Sequence, residues 1–504
     1  MKTIDNLLNR VTMYRLVFYY LFGLLAVAVV LSFAHVLAYD PFAMLFSTAF
    51  ILAACSVTNY IFSRVFDVPA NVESSLITGL ILALIITPIN GYGDLWFLFW
   101  ASVLAMGSKY ILNISGKHIF NPAALGVAVT YLTINQSASW WIGNPALLPF
   151  VLVGGLLMVR KLRRFKLIWS FMAAAVVVTF LAALFGGQPM SDAFRTLFLY
   201  SPFFFFAFVM LTEPLTMPPT NSRRNLYAAL VGVLFPPAFH LGSFYTTPEI
   251  ALLIGNVFSY LVSPKARLVL TLKNKRRISP VAWEFIFAPD RRLAFAPGQY
   301  MEWTLGHEDP DGRGNRRYFT LASSPTEPDV RLGLRFNDPS SSYKEAMLEM
   351  DKGDEIIAGQ LAGDFIMPRN PKQPLVFIAG GIGITPYRSM IKYLLDQGQP
   401  RPITLIYAAA HPRDFVFQDV FKQAERELGI RTVYVPQKAE GMTPGWIGPT
   451  GLIRPEIIQT YAPNYRKAIF YISGPNMMVD SVKKMLGKMG IPDRQIKTDF
   501  FAGL

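Results

Sequence analysis

Cysteine is almost missing: Cys55 is the one thiol in 504 residues, and it lies in an apolar run. A disulfide within the chain is thereby excluded, as is a cysteine-ligated iron–sulfur cluster, which needs several thiolates. Histidine is nearly as scarce. Only His35, His118 and His240 fall in the first 264 residues. None has a second histidine a few turns along its helix, which argues against the paired axial ligands of a transmembrane haem. Charge is low too, at 16% against 52% hydrophobic, and the deficit is local. Up to Pro264 the chain holds 14 of its 47 Lys/Arg and 8 of its 33 Asp/Glu. The first part is depleted in charge throughout, and the rest has the composition of a water-soluble domain. The net charge of +14 does not point to nucleic acid. The basic residues of the first part sit between apolar runs, where anionic lipid accounts for them.

Apolar runs long enough to cross about 30 Å of hydrocarbon recur along this part. Ten are expected as spans: 15–38, 41–63, 74–90, 94–112, 120–135, 145–160, 166–186, 196–212, 224–241 and 248–263. The first is too long for a secretory signal and no small-residue cleavage site follows it, so it reads as an uncleaved span. Loops near 64–73, 109–118, 160–166 and 213–224 hold ten Lys/Arg, whereas the opposite loops hold only Arg195. By the positive-inside rule the first set, both termini and everything after Pro264 are expected in the cytoplasm, with the chain in the cell (inner) membrane. Three polar stretches then share the cytoplasmic side: "ESSLITG" (73–79), "GKHIFNPA" (116–123) and "LTEPLTMPPTNSRRN" (211–225). Each alone reads as caps and headgroup anchors, with Ser74, Asn121 and Asn221 at helix starts and Pro122 at a first helical position. Together they outline a polar site facing the bundle interior, with Thr78, Lys117, His118, Asn121, Glu213 and Thr216 as its candidates.

"GKHIFNPAALG", "SSLITGLILAL" and "LTEPLTMPPT" resemble motifs of the RnfD/NqrB family over roughly residues 40–262. Those are membrane subunits of the Rnf complex and of the sodium-translocating NADH:quinone reductase. The resemblance implies a ten-helix, flavin-carrying electron-transfer subunit. Where the family attaches FMN to the threonine of a Ser-Gly-Ala-Thr motif, this chain has "GGQPMSDAFRTLFLYSP". The expectation is therefore FMN held without a covalent bond, or a quinone.

After Pro264 the pattern changes to short alternating strands broken by turn residues, which reads as a small antiparallel barrel. From Leu375 buried strands alternate with helical stretches, the pattern of an α/β nucleotide-binding sheet. "RRYFTLASSP" puts Arg317, Phe319 and Thr320 on or beside one strand, suited to a phosphate, a flat ring and a ring nitrogen. The other register, Arg316 with Tyr318, would set Phe319 where the hydroxyl belongs. Ser341 and Ser342 stand at a helix start, where free amides favour a pyrophosphate, although a capped helix alone explains them. In "VFIAGGIGITP" an apolar strand runs into Gly380, Gly381 and Gly383, then Thr385 and a helix; "FYISGPNMM" repeats the junction at Gly474 and Pro475.

Residues 265–504 resemble the ferredoxin–NADP reductase family. "RYFT" matches its Arg-x-Tyr-Ser/Thr flavin motif with Phe319 replacing tyrosine, and "PGQY", "SSSYK", "GQLAGDFIMP", "AGGIGITP", "SGPNMM" and the terminal "FAGL" match further elements. The resemblance implies FAD and NADH or NADPH. Arg317, Ser341, Ser342 and Gly363 would serve the pyrophosphate, Phe319 the isoalloxazine and Thr320 its N5. Phe501 would cover the flavin, with Gly380, Gly381, Gly383, Thr385, Gly474 and Pro475 at the nicotinamide nucleotide. Arg413 offers a 2′-phosphate partner, but a surface arginine explains it as well. The expected organisation is a polytopic α-helical domain (1–264), an antiparallel β-barrel FAD domain (265–371) and an α/β NAD(P) domain (372–504), without a metal site. The expected function is a membrane NAD(P)H dehydrogenase delivering electrons through FAD to a flavin, a quinone or a protein acceptor. Alternatives are an ion-translocating module with additional subunits and a haem-type transmembrane reductase.

Overall fold

A computed structural model describes the chain except residues 1–7, 9–10, 67–71, 90, 92–93, 115–116, 242–243, 265–266, 309–310, 312–313, 337–338, 439–445 and 500–504, and the side chains of 117, 240, 241 and 244. It divides into two compact units, Met1–Lys265 and Ala266–Phe501.

The first unit is helical: α1 (Met13–Phe33), α2 (Pro41–Val65), α3 (Val72–Ile85), α4 (Leu95–Ile111), α5 (Pro122–Ile134), α6 (Leu148–Leu162), α7 (Phe165–Phe185), α8 (Met190–Leu199), α9 (Phe203–Phe205, running into a π-helical turn at Phe206–Met210), α10 (Asn221–Leu234) and α11 (Pro248–Val262). Each of the ten apolar runs contains helix, but the expectation of ten spans is corrected. Among the described residues three helices, α1, α2 and α7, are long and apolar enough to cross a membrane. A fourth candidate is the pair Met190–Leu199 and Phe203–Met210, bent by 53°. The reason is local chemistry. α5 starts at Asn121-Pro122 and stops where Asn135 turns left-handed, so its 13 residues rise only about 20 Å.

One motif occurs twice in this unit. α4 is followed by a two-residue-strand hairpin, β1 (Asn113–Ile114) and β2 (Lys117–His118), then by the Pro-led α5. α10 is followed by β3 (His240–Leu241) and β4 (Phe244–Tyr245), then by the Pro-led α11, whose N-cap is Thr247. The two short helices run antiparallel. Asn121 at the start of α5 meets Asn256 midway along α11, while Glu249 at the start of α11 meets Trp140 beyond the end of α5.

The second unit opens with a six-stranded antiparallel sheet, order β8-β7-β10-β5-β6-β9, from β5 (Leu268–Ser279), β6 (Ala282–Pro289), β7 (Tyr300–Thr304), β8 (Arg316–Thr320), β9 (Val330–Arg335) and β10 (Glu355–Ala362). Beyond β8 the Ala322 amide donates to Arg331 O, which curls the sheet into the expected barrel. Helix α12 (Ser342–Glu349) packs Tyr343 and Met347 into its core. A five-stranded parallel sheet follows, order β13-β12-β11-β14-β15: β11 (Leu375–Gly380), β12 (Ile403–Ala409), β13 (Arg431–Pro436), β14 (Ile469–Ser473) and β15 (Ile496–Thr498). Its helices are α13 (Thr385–Asp396), α14 (Gln418–Leu428), α15 (Pro455–Tyr461) and α16 (Asn476–Lys488). The inner strands β11, β12 and β14 are buried on both faces and so read as nearly continuous apolar runs.

Barrel and sheet are joined by a buried ion pair. Arg388 of α13, 4% exposed, donates to both Glu327 carboxylate oxygens and to Ala322 O, and Ser389 donates to Ser323 O. Burial alone would raise the Glu327 carboxyl. Arg388, the Ser324 amide and Arg331 outweigh burial and hold it below the ordinary range.

Candidate functional site

Strand β8 carries the first group of candidates. Arg317 and Phe319 lie opposite Trp303 and Met301 of β7, both fully buried, so they share the core face. Phe319 presents 8% of its surface and packs beside the Tyr343 ring, centroids 6.0 Å apart. It therefore does not stand open to a flavin as expected; the half-exposed rings on the opposite face are Tyr318 and Tyr300, 5.9 Å apart. Arg317, 5% exposed, donates to Gly314 O (2.9 Å) and Arg316 O (2.7 Å), and lies over the Tyr343 ring.

An anion already occupies the place where a pyrophosphate was expected. Asp311 meets Arg317 Nη2 through Oδ1 at 3.4 Å and accepts from the Ser342 amide through Oδ2 at 3.3 Å, at the first turn of α12. Ser341 caps that helix by accepting from the Lys344 amide. The Ser342 hydroxyl accepts from the Asp311 amide (2.8 Å) and sits 3.0 Å from His307 Nε2. Guanidinium and helix start thus jointly hold an anionic oxygen. Gly363 lies against Tyr300 and leaves β10 with φ +122°.

The second group lines the C-terminal edge of the parallel sheet, where α/β folds bind ligands. β11 and β14 are paired neighbours, and the turns that follow them touch backbone to backbone: a Cβ on Gly383 would lie 2.6 Å from Gly474 Cα. Gly381 has φ +54°, and among the described residues nothing lies within 4 Å of a Cβ placed on it. Thr385 starts α13 and bonds Ile382 O, and Pro475 precedes α16 on the surface.

Between the groups lies a residue that sequence reasoning missed. Asp499, directly after β15, accepts from Thr320 Oγ1 (3.4 Å) and Ser473 Oγ (3.3 Å) through Oδ2. Burial pushes its carboxyl up to about 7, against these two hydrogen bonds, which lower it. Phe501, expected to cover the flavin, lies outside the described residues.

Residues 377–484 match the family described as the oxidoreductase NAD-binding domain. The C-terminal unit is a FAD/NAD-binding domain of the ferredoxin–NADP reductase type. Flavohemoproteins of Pseudomonas aeruginosa and Burkholderia sp. are each 30% identical to it, over 214 and 217 residues. These stretches cover 42% of this chain, and 51% and 52% of those proteins. The chain therefore spans about half the length of the curated relatives it matches. Solved structures similar to the reductase domain include the FAD/NAD-binding domain of nitric oxide dioxygenase from Vibrio cholerae (21% identity, 46% of this chain, 98% of that one, TM-score 0.38). Another is a ferredoxin–NADP reductase from Neisseria gonorrhoeae with bound FAD and NADP (19%, 46%, 98%, 0.39).

The candidates of the helical unit form two polar clusters. Asn121 caps α5 through Oδ1 and donates from Nδ2 to Glu213 Oε2 (2.8 Å), which also accepts from Thr216 (3.1 Å). The Asn121 amide donates to Asn256 Oδ1, and Asn256 donates to the Tyr227 hydroxyl. Thr78 instead accepts from Lys109 Nζ (2.7 Å), which also donates to Ser74 Oγ and Ser74 O. His118 is half-buried on β2, opposite Asn113; the Lys117 side chain lies outside the described residues. Lys109, Asn256 and Tyr227 were not foreseen, since each stands inside an apolar run where anchoring or packing explains it.

Proposed function

We propose that the chain is a membrane-bound NAD(P)H dehydrogenase that delivers electrons to a flavin or quinone held by its helical unit. The observation that carries this reading is the meeting, within one compact unit, of Thr320 from the barrel, Ser473 from the sheet and Asp499 beside paired glycine turns. The residues present fit FAD. Arg317 and the α12 start already hold a carboxylate, which supports their holding the pyrophosphate, and Gly363 stands beside them on the resemblance. When bound, FAD supplies a ring that accepts hydride and releases electrons singly. Thr320 would orient that ring, Asp499 would hold a proton beside Thr320, and Gly380, Gly381, Gly383, Thr385, Gly474 and Pro475 would receive the nicotinamide nucleotide.

Membrane attachment draws on three helices of sufficient length and apolarity, and the acceptor site on the Asn121–Glu213–Thr216 cluster. The test uses the purified full chain in detergent. It should oxidise NADH or NADPH with ferricyanide and with a water-soluble quinone. Asn121→Ala should leave the ferricyanide rate unchanged and lower the quinone rate at least tenfold. Equal rates with both acceptors in the variant would remove the helical unit from the electron path; no NAD(P)H oxidation in the unaltered chain would remove the reading altogether.

A further inference from the structure

A carboxyl outside every site described so far is sealed inside the helical unit. Glu249, the second residue of α11, is 1% exposed. Its Oε2 accepts from Trp140 Nε1 at 2.9 Å, while Oε1 has no hydrogen-bond partner among the described residues; the Thr247 hydroxyl and the residue's own amide are polar groups beside the carboxyl. Trp140 in turn lies edge-on to Phe206 of the π-helical turn. A buried carboxylate without a countercharge is strongly disfavoured as an anion.

We infer that Glu249 is a proton-binding carboxyl, which takes up a proton from water at Oε1 and returns it within the apolar bundle. A metal ion fits poorly: hard cations need several oxygen ligands, and no group of three His, Cys, Asp or Glu exists among the described residues. A polar line leads away from the site. Asn256 and Ser259 follow Glu249 at steps of seven and three along α11, Ser263 caps its end, and all three are buried. Asn256 bonds Tyr227 and the Asn121 amide, Ser259 Oγ has no partner among the described residues, and Ser263 Oγ donates to Ser259 O. The titratable and charged groups on the elements packed against α11 are Tyr131 of α5 and Arg223, Arg224 and Tyr227 of α10, while the 136–147 loop has none. The two arginines bond carbonyls at Val262, Pro218 and Pro219, and no ion pair to Glu249 exists among the described residues.

The test is infrared difference spectroscopy of the full chain in detergent across pH, with dicyclohexylcarbodiimide labelling read by peptide mass. E249Q keeps the acceptor for Trp140 and serves as the reference. The expected result is a carbonyl band of an unhydrated carboxylic acid that shifts in heavy water, disappears at alkaline pH and is absent from E249Q. Labelling of Glu249 should fall in parallel with the band and be equal in sodium and choline chloride. A carboxylate at every pH, a neutral acid at every pH, or protection by sodium but not choline would each overturn the proposal. The outcome does not depend on NAD(P)H oxidation, so it stands or falls apart from the dehydrogenase reading.

Discussion

Asp499 converts burial into a pH dependence. Its carboxyl is raised from 3.8 to about 7 in the fold, so the neutral form is favoured there. The stability it contributes is fully present below the unfolded value near 3.8 and is lost as pH rises through about 7. Asp499→Asn, neutral at every pH, should flatten the decline of the thermal midpoint between these limits. The same substitution should remove an inflection near pH 7 from NAD(P)H oxidation. An unchanged profile in the variant would detach this carboxyl from the chemistry. Asp311 allows a second prediction. It holds the anion position between Arg317 and the α12 amide, so Asp311→Asn should tighten FAD about three- to tenfold, measured by flavin fluorescence titration. Neither acid was visible in the sequence. Asp499 follows a short strand and precedes the terminal aromatics, and only the pairing of β14 with β15 brings it to Ser473. Phe319 shows the same limit: alternation linked it to Arg317, but which face is core depends on Met301 and Trp303 across the ladder.

At the scale of elements, the two glycine turns separate strain from contact. Gly383→Ala sets a methyl 2.6 Å from Gly474 backbone, which cannot rotate away, and should cost about 1–3 kcal/mol with weakened nucleotide binding. Gly381→Ala meets nothing among the described residues but forces a left-handed residue, at about 1–2 kcal/mol. Thermal midpoints and NADH titrations distinguish the two. The clamp between the turn before β9 and α13 is tested the same way: Arg388→Met leaves Glu327 only Arg331 and the Ser324 amide and should cost about 1.5–3 kcal/mol, part of it recovered in the double variant with Glu327→Leu. Strand and helix order in the reductase domain was legible, because period-two alternation and apolar runs flanked by glycine are local signals. Helix length in the first unit was not. Hydropathy continues through Asn135 and past Ser201-Pro202, where backbone geometry ends or bends the helix.

Over the whole molecule, two units with separate cores imply that, on the proposed function, FAD and the acceptor group of the helical unit are lost independently. FAD in the reductase domain has no covalent attachment implied by its residues, and the helical unit lacks the Ser-Gly-Ala-Thr sequence of a phosphoester-linked FMN. Acid precipitation of the purified chain should therefore leave a colourless pellet and release all flavin. Solvent extraction of the same sample reports quinone. Arg317→Ala should deplete FAD alone, because its partners Gly314, Arg316, Asp311 and Tyr343 all belong to the reductase domain. Asn121→Ala should deplete the second flavin or the quinone alone, because its partners, Glu213, Asn256 and Ala124, all belong to the helical unit. Loss of both groups in either variant would mean that the units fold as one. A single flavin per chain with no extractable quinone would assign electron exit to another protein and leave the Asn121 cluster a structural cap.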